Sequence, residues 1–238
     1  MIKNILFDIG GPIDKEVLMD KLIDEQIINS LKFFDINISK EEYIETQNKL
    51  LIAFSKNLYK DIIWELTNKN YKLASIIEKQ LYDTEKERNK KRGFFEPQEN
   101  IFNILENLKK KNYNLGIVAN QPTRCIKIMQ KIGLLDFFSN KYVSDCINLY
   151  KPDEKFFLYV CNDINANPYE SIMVGDRIDN DIVPAKNLGI TTIRFITGRY
   201  RIQKPRNISE KADFNINNIS NIEAVSYTHL TLPTICSV

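Results

Sequence analysis

Beyond residue 97 the chain alternates short apolar runs with amphipathic stretches, and this alternation limits its fold more than any other feature. Runs at 115–119, 142–144, 172–174 and 191–195 have strand length, and a further strand is expected at 213–216. Stretches with helical spacing precede the first run and separate the first four, at 98–111, 122–133, 153–164 and 181–188. Strands joined through helices pair in parallel, because a parallel neighbour is reached only by a crossover, and the crossover helices then cover both faces of the sheet. Pro122 and Gly133 at the two ends of one helix, and Gly189 at the end of another, supply the boundaries. The expected class is α/β, with a Rossmann-like parallel sheet as its core.

The remaining strand lies far away in sequence. Residues 2–7 are a buried-type apolar run that ends in Asp8-Ile9-Gly10-Gly11-Pro12, a composition that forces a tight loop. Between this loop and residue 87 only helical periodicity is found: Met19, Ile23, Ile27 and Leu31, then Tyr43, Leu50, Leu51 and Phe54, then Ile62, Ile63 and Leu66, then Leu73, Ile76, Ile77 and Leu81. Ser39 and Glu42 have the spacing of a capping box, which would start the second of these helices. The charged run 85–92 with Gly93 reads as a hinge. The predicted organisation is a core made of residues 1–13 and 97–225, with residues 14–96 inserted as a four-helix bundle after the first strand.

Composition excludes several partners. Thirty-three Lys and Arg residues against 31 Asp and Glu give a net charge of +2, so no global field recruits nucleic acid or an anionic membrane. The apolar runs are strand-sized, and the first eight residues lack the features of a signal peptide, so a cytoplasmic location is expected. Cys125, Cys146, Cys161 and Cys236 show no CxxC spacing, and neither a zinc site nor a disulfide framework follows. Residues 226–238 shift abruptly to Thr, Ser and Pro and are read as a non-native tail, which removes His229, the single histidine, as a catalytic base.

In an open parallel sheet, ligands bind where the strands end at their carboxyl side. That rule brings together Asp8, the loop Ala119-Asn120-Gln121, Lys151 in the sequence YKPD, and Gly175-Asp176. Asp8, Asp176 and Asp181 offer oxygen ligands suited to a hard cation such as Mg2+, which keeps some waters and takes a phosphate oxygen. Lys151 can balance phosphate charge as a point cation. Each residue also has a plain reading: Asp8 as a turn residue, Lys151 as a solvated side chain, Asp176 and Asp181 as helix caps, and Arg124 and Arg177 as surface ion pairs. Tyr43, Phe54, Tyr59 and Trp64 read as bundle core. The order of the acidic residues and Lys151, and their placement at strand ends, argue for a site.

These motifs resemble those of the haloacid dehalogenase-like (HAD) hydrolases, specifically subfamily I with a helical C1-type cap inserted after the first motif. LFDIGGPI (6–13) places Asp8 at the nucleophile, LGIVANQ (115–121) matches the second motif, and YKPD carries Lys151. VGDRIDNDIVPAKNLGI (174–190) places Asp176 at the metal-ligand position and Asp181 at the supporting carboxylate, and it is the most specific stretch. The resemblance implies a Mg2+-dependent phosphatase of a small phosphorylated metabolite. Asp8 would form an aspartyl-phosphate, Asp8, Asp176 and the Gly10 carbonyl would hold the metal with Asp181 in support, and the helical cap would close over the substrate.

Two positions depart from the family pattern. Gly10 stands where most family phosphatases carry a second Asp that protonates the leaving oxygen, and it is a candidate for a backbone with φ > 0. Ala119 replaces the Ser or Thr that normally donates to phosphate, leaving Asn120 and Gln121 as the side-chain donors of that loop. The leading expectation is catalysis. A degenerate phosphate- or partner-binding member is the alternative, and carbon–halogen hydrolysis ranks lower because the metal-site carboxylates are retained.

Overall fold

A computed structural model describes residues 1–90 and 95–225 of the chain. The first apolar run becomes β1 (Asn4–Phe7), which lies inside a six-stranded sheet with β2 (Asn114–Ala119), β3 (Asn140–Val143), β4 (Ser171–Gly175), β5 (Thr191–Phe195) and β6 (Phe214–Ile216). The order is β3-β2-β1-β4-β5-β6, and every pairing is parallel. β1 takes β2 on one side and β4 on the other, with Phe7 opposite both Ile117 and Val174. The chain moves outward from β1 in one direction through β2 and β3, then returns to the far side of β1 for β4. The crevice at this reversal opens beyond the carboxyl ends of β1 and β4.

The helices of this unit are α5 (Ile101–Lys110), α6 (Arg124–Lys131), the single turn α7 (Ser144–Ile147), α8 (Glu154–Asp163) and α9 (Val183–Asn187). β1 and β4 are buried along their whole length, as strands covered on both faces require. Leu6, Val118 and Met173 from one face of the sheet pack with Phe156, Phe157 and Val160 of α8 and with Ala185 and Ile190. At the other end of the strands a ladder of amides, Asn140 to Asn114 (3.4 Å) and Asn114 to Asn4 (3.1 Å), satisfies polar groups that burial would otherwise penalise.

Chain contacts divide the molecule into two units. One contains Met1–Lys15, Pro97–Arg201 and the described residues from Pro205 onward; the other contains Glu16–Glu96 with Ile202–Lys204. The second unit holds α1 (Val17–Phe33), α2 (Lys40–Ile52), α3 (Leu58–Leu66) and α4 (Tyr71–Lys90). The capping box is present in full: the Ser39 hydroxyl accepts from the Glu42 N–H (3.1 Å) and the Glu42 carboxylate accepts from the Ser39 N–H (2.7 Å). Tyr43 is buried, and its hydroxyl donates to Asp24 (2.8 Å), while the Tyr59 hydroxyl donates to Asp20 (2.9 Å). Among the described residues no helix is long and apolar enough to cross a membrane.

Three expectations meet differences. Residues 85–90 continue α4 instead of forming a hinge, because Lys, Glu and Arg are good helix formers and nothing before residue 90 breaks the helix. The last crossover helix begins earlier than residue 181, with a π-helical turn at Ile178–Ile182 that runs into α9. The φ > 0 expected of Gly10 belongs to Gly11, at φ 80. Gly93 and the proposed non-native tail 226–238, with His229 and Cys236, lie outside the described residues.

Candidate active site

Asp8 follows the last residue of β1, and its N–H donates to the Val174 carbonyl of β4 (2.9 Å), so the backbone of the site begins as an extension of the sheet. The chain then turns sharply: the N–H groups of Ile13 and Asp14 both reach the Ile9 carbonyl, and the Gly11 N–H reaches the Asp14 carbonyl. Gln98 fastens this loop from outside, its side-chain amide donating to the Gly11 carbonyl (2.7 Å). Gly10 is buried within the turn. Gly11 must be glycine for two reasons: its φ is 80, and a Cβ there would lie 2.8 Å from the Cβ and Cγ of Asp176. Gly175 is constrained by space alone, since a Cβ would overlap the Asp181 side chain.

These close approaches draw three carboxylates together. One oxygen from each of Asp8, Asp176 and Asp181 lies within 4.8 Å of the others, and Asp176 and Asp181 are buried. Lys151 enters between them. Its ammonium is 2.6 Å from Asp181 Oδ1 and 3.0 Å from Asp8 Oδ1, and its side chain is 1 % exposed. Asp181 Oδ2 accepts the Arg177 N–H (3.0 Å), a bond directed back along the chain. An N-cap accepts from residues that follow it, so Asp181 is not the helix cap that local sequence allowed.

The charge balance of the cluster is uneven. Burial pushes the Asp8 carboxyl up to about 6, Lys151 works against that rise, and the charge of Asp181 adds to it. Burial also works against the Lys151 ammonium, but the charges of Asp181 and Asp8 outweigh it and hold the lysine above its ordinary value. Three carboxylates against one ammonium leave an excess of negative charge in a buried space lined by oxygen. Hard divalent cations fit such a donor set, whereas soft metals prefer sulfur and nitrogen.

Both contacts made by the Asp8 carboxylate fall on Oδ1, from Lys151 and from the Ile9 N–H (2.8 Å). Among the described residues Oδ2 has no hydrogen-bond partner. Asn120, expected to offer its amide to phosphate, is arranged differently: Nδ2 donates to the Lys151 carbonyl (2.7 Å) and Oδ1 accepts the Lys151 N–H (2.8 Å). Its side chain thus closes on the backbone of the lysine like a neighbouring strand. Gln121 is half-buried in the same loop, and its carbonyl accepts from the Ser144 hydroxyl (3.4 Å). Ala119 is fully buried at the end of β2 and brings no hydroxyl. Arg124 opens α6, and Arg177 pairs with Asp179 (2.6 Å).

Sequence reasoning missed Gln98, Arg194 and Tyr200. Arg194 left a signal, since a charged residue inside the apolar run 191–195 is out of place unless its charge is used. It is 5 % exposed, and its Nε donates to the Asp176 carbonyl (3.2 Å). Gln98 left none.

The profile of the family described as haloacid dehalogenase-like hydrolase matches residues 18–195, most of the chain, beginning just after the Asp8 loop. The glyceraldehyde 3-phosphate phosphatase of Methanocaldococcus jannaschii is 28 % identical over 228 residues, covering 93 % of this chain and 96 % of that protein. Among solved structures, a Clostridium difficile protein described as a phosphatase superposes with a TM-score of 0.71 at 22 % identity, over 94 % of this chain and 98 % of that one. The magnesium-bound HAD-hydrolase YfnB of Bacillus subtilis superposes at 0.66 with 19 % identity, over 97 % and 99 %. At these identities the two structures speak for the fold.

Proposed function

The chain belongs to the haloacid dehalogenase-like hydrolases, and on that footing we propose that it is a Mg2+-dependent phosphatase of a small phosphorylated metabolite, with Asp8 as its nucleophile. The observation that carries this reading is the state of Asp8. One oxygen is tied down by Lys151 and the Ile9 N–H, and the other stands without a partner among the described residues at the end of a central strand. Oδ2 attacks phosphorus in line as the bond to the leaving oxygen breaks, giving an aspartyl-phosphate; water then attacks the same phosphorus and returns the free carboxylate. Lys151 balances charge on the transferring group, and Asn120 keeps Lys151 in place through its peptide.

Asp8 and Asp176 would hold the cation, together with the Gly10 carbonyl. Asp181 supports them from behind, because its oxygens are engaged by Lys151 and the Arg177 N–H. When bound, the ion neutralises charge that develops on the phosphoryl oxygens. Neither Gly10 nor Ala119 supplies a proton or a hydroxyl, so nothing at either position protonates the leaving oxygen.

The named activity of the Methanocaldococcus jannaschii relative makes glyceraldehyde 3-phosphate the first substrate to test. The experiment is phosphate release from a panel of sugar phosphates, nucleotides and acyl phosphates, with and without Mg2+, comparing the protein with Asp8→Asn. Turnover that needs Mg2+ and vanishes in the variant supports the proposal; turnover retained by Asp8→Asn overturns it. A chain that binds phosphate without releasing it is the second reading, favoured by Ala119, and it predicts phosphate binding with no turnover on any member of the panel.

A further inference from the structure

Arg194 occupies β5 directly opposite Gly175 of β4, the residue before Asp176. From there its guanidinium reaches across the end of β4. Nε donates to the Asp176 carbonyl (3.2 Å), and Nη2 donates to the Tyr200 carbonyl (2.9 Å) in the turn that follows β5. Tyr200 then engages the next residue of the site loop: its hydroxyl accepts from Arg177 Nη1 (3.2 Å), and its ring lies 4.5 Å from the Arg177 guanidinium. Asp176 and Arg177 are therefore both gripped from the β5 side, the first through its carbonyl and the second through its side chain. The Arg177 N–H in turn donates to Asp181.

We infer that Arg194 is a positioning residue of the cation site, which, together with Tyr200, fixes the peptide that aims the Asp176 carboxylate. The inference rests on the proposed role of Asp176 as a metal ligand. The direction of a carboxylate follows from the orientation of its own backbone, and groups that orient a ligand from behind typically govern affinity about 10–100-fold. A planar guanidinium suits the task because its donors diverge at fixed angles and can hold two carbonyls at once, whereas an ammonium concentrates its charge at one point. Exchanging Arg194 for lysine therefore separates positioning from charge.

The test is isothermal titration of the full chain with Mg2+, alongside thermal melting of the metal-free protein. Arg194→Lys is expected to weaken Mg2+ binding about 10-fold or more while the metal-free protein retains a cooperative melt. Tyr200→Phe, which keeps both the ring and the Tyr200 carbonyl, should weaken it less. Should the lysine variant fail to fold, Arg194→Gln carries the same expectation. Unchanged Mg2+ affinity in Arg194→Lys, with binding lost in Asp176→Ala, would overturn the inference alone. Absence of Mg2+ binding by the unmodified protein would overturn the metal reading beneath it as well.

Discussion

Lys151 stands closer to Asp181 than to Asp8, 2.6 Å against 3.0 Å, and the side chains of Lys151 and Asp181 are closed to solvent. Breaking a buried pair by removing one partner strands the other charge, which typically costs about 3–5 kcal/mol. Lys151→Met is accordingly expected to lower the stability of the metal-free protein by about 3 kcal/mol at pH 7. At pH 5 Asp8 takes up a proton in the folded state and part of the repulsion disappears, so the loss should shrink. Urea midpoints at the two pH values check this. A loss that is equal at both would mean that the charge of Asp8 does not contribute to it.

Asp8 itself should be a burden on the metal-free fold. Its folded value of about 6 lies above its ordinary 3.8, so the native state holds this proton more tightly than the unfolded chain does. The resulting penalty is absent below pH 4, grows as pH rises to about 6, and is constant above that. Asp8→Asn removes the charge and is expected to stabilise the metal-free protein by roughly 3 kcal/mol at pH 7, with no gain near pH 4, while abolishing turnover. Denaturant titrations from pH 4 to pH 7 in chelator provide the measurement, and a variant less stable than the parent at pH 7 contradicts the expected penalty.

The sheet could be read from the sequence because its strands are short apolar runs bounded by Pro and Gly, and burial on both faces leaves no other role for them. Asp8 and Asp176 were legible for a different reason: each directly follows a strand, which fixes where it emerges independently of side-chain detail, and Lys151 and Asp181 lie in the loop and turn that return to the same end of the sheet. What could not be read was the use made of each polar group. An asparagine in a phosphate loop has the same sequence signature whether its amide meets a ligand or, as here, the Lys151 peptide. The grip of Arg194 on Asp176 spans two strands whose pairing becomes visible only in the fold. The charged run after residue 84 misled because high charge suits an exposed helix as well as a linker.

Asn120 provides a sharper test of positioning. Its two bonds to the Lys151 backbone each contribute about 1 kcal/mol. Asn120→Ala should lower kcat about 10–100-fold, since each ~1.4 kcal/mol lost from the transition state is tenfold in rate. KM should change less, because the amide is occupied by Lys151 and does not meet substrate. Steady-state kinetics on the best substrate decide. A rise in KM with kcat unchanged would indicate that Asn120 binds phosphate directly.

Gly10 leaves the reaction without an acid two residues after the nucleophile. Such a group typically contributes about 10²–10⁴-fold, and without it the departing oxygen leaves largely unprotonated. Across a series of aryl phosphates, kcat/KM should therefore rise steeply as the leaving-group pKa falls. Gly10→Asp should flatten that slope if the new carboxyl reaches the leaving oxygen. The backbone does not forbid the change, because the left-handed conformation that would strain an aspartate belongs to Gly11, at φ 80, and not to Gly10. Gly11→Ala is the contrasting case. Its Cβ would press on Asp176, 2.8 Å away, in a conformation that an L-residue resists, so it should lose Mg2+ binding and activity together. The slope must be measured where chemistry, not product release, limits the rate. A flat leaving-group dependence in the unmodified protein under that condition would show that another group already donates the proton.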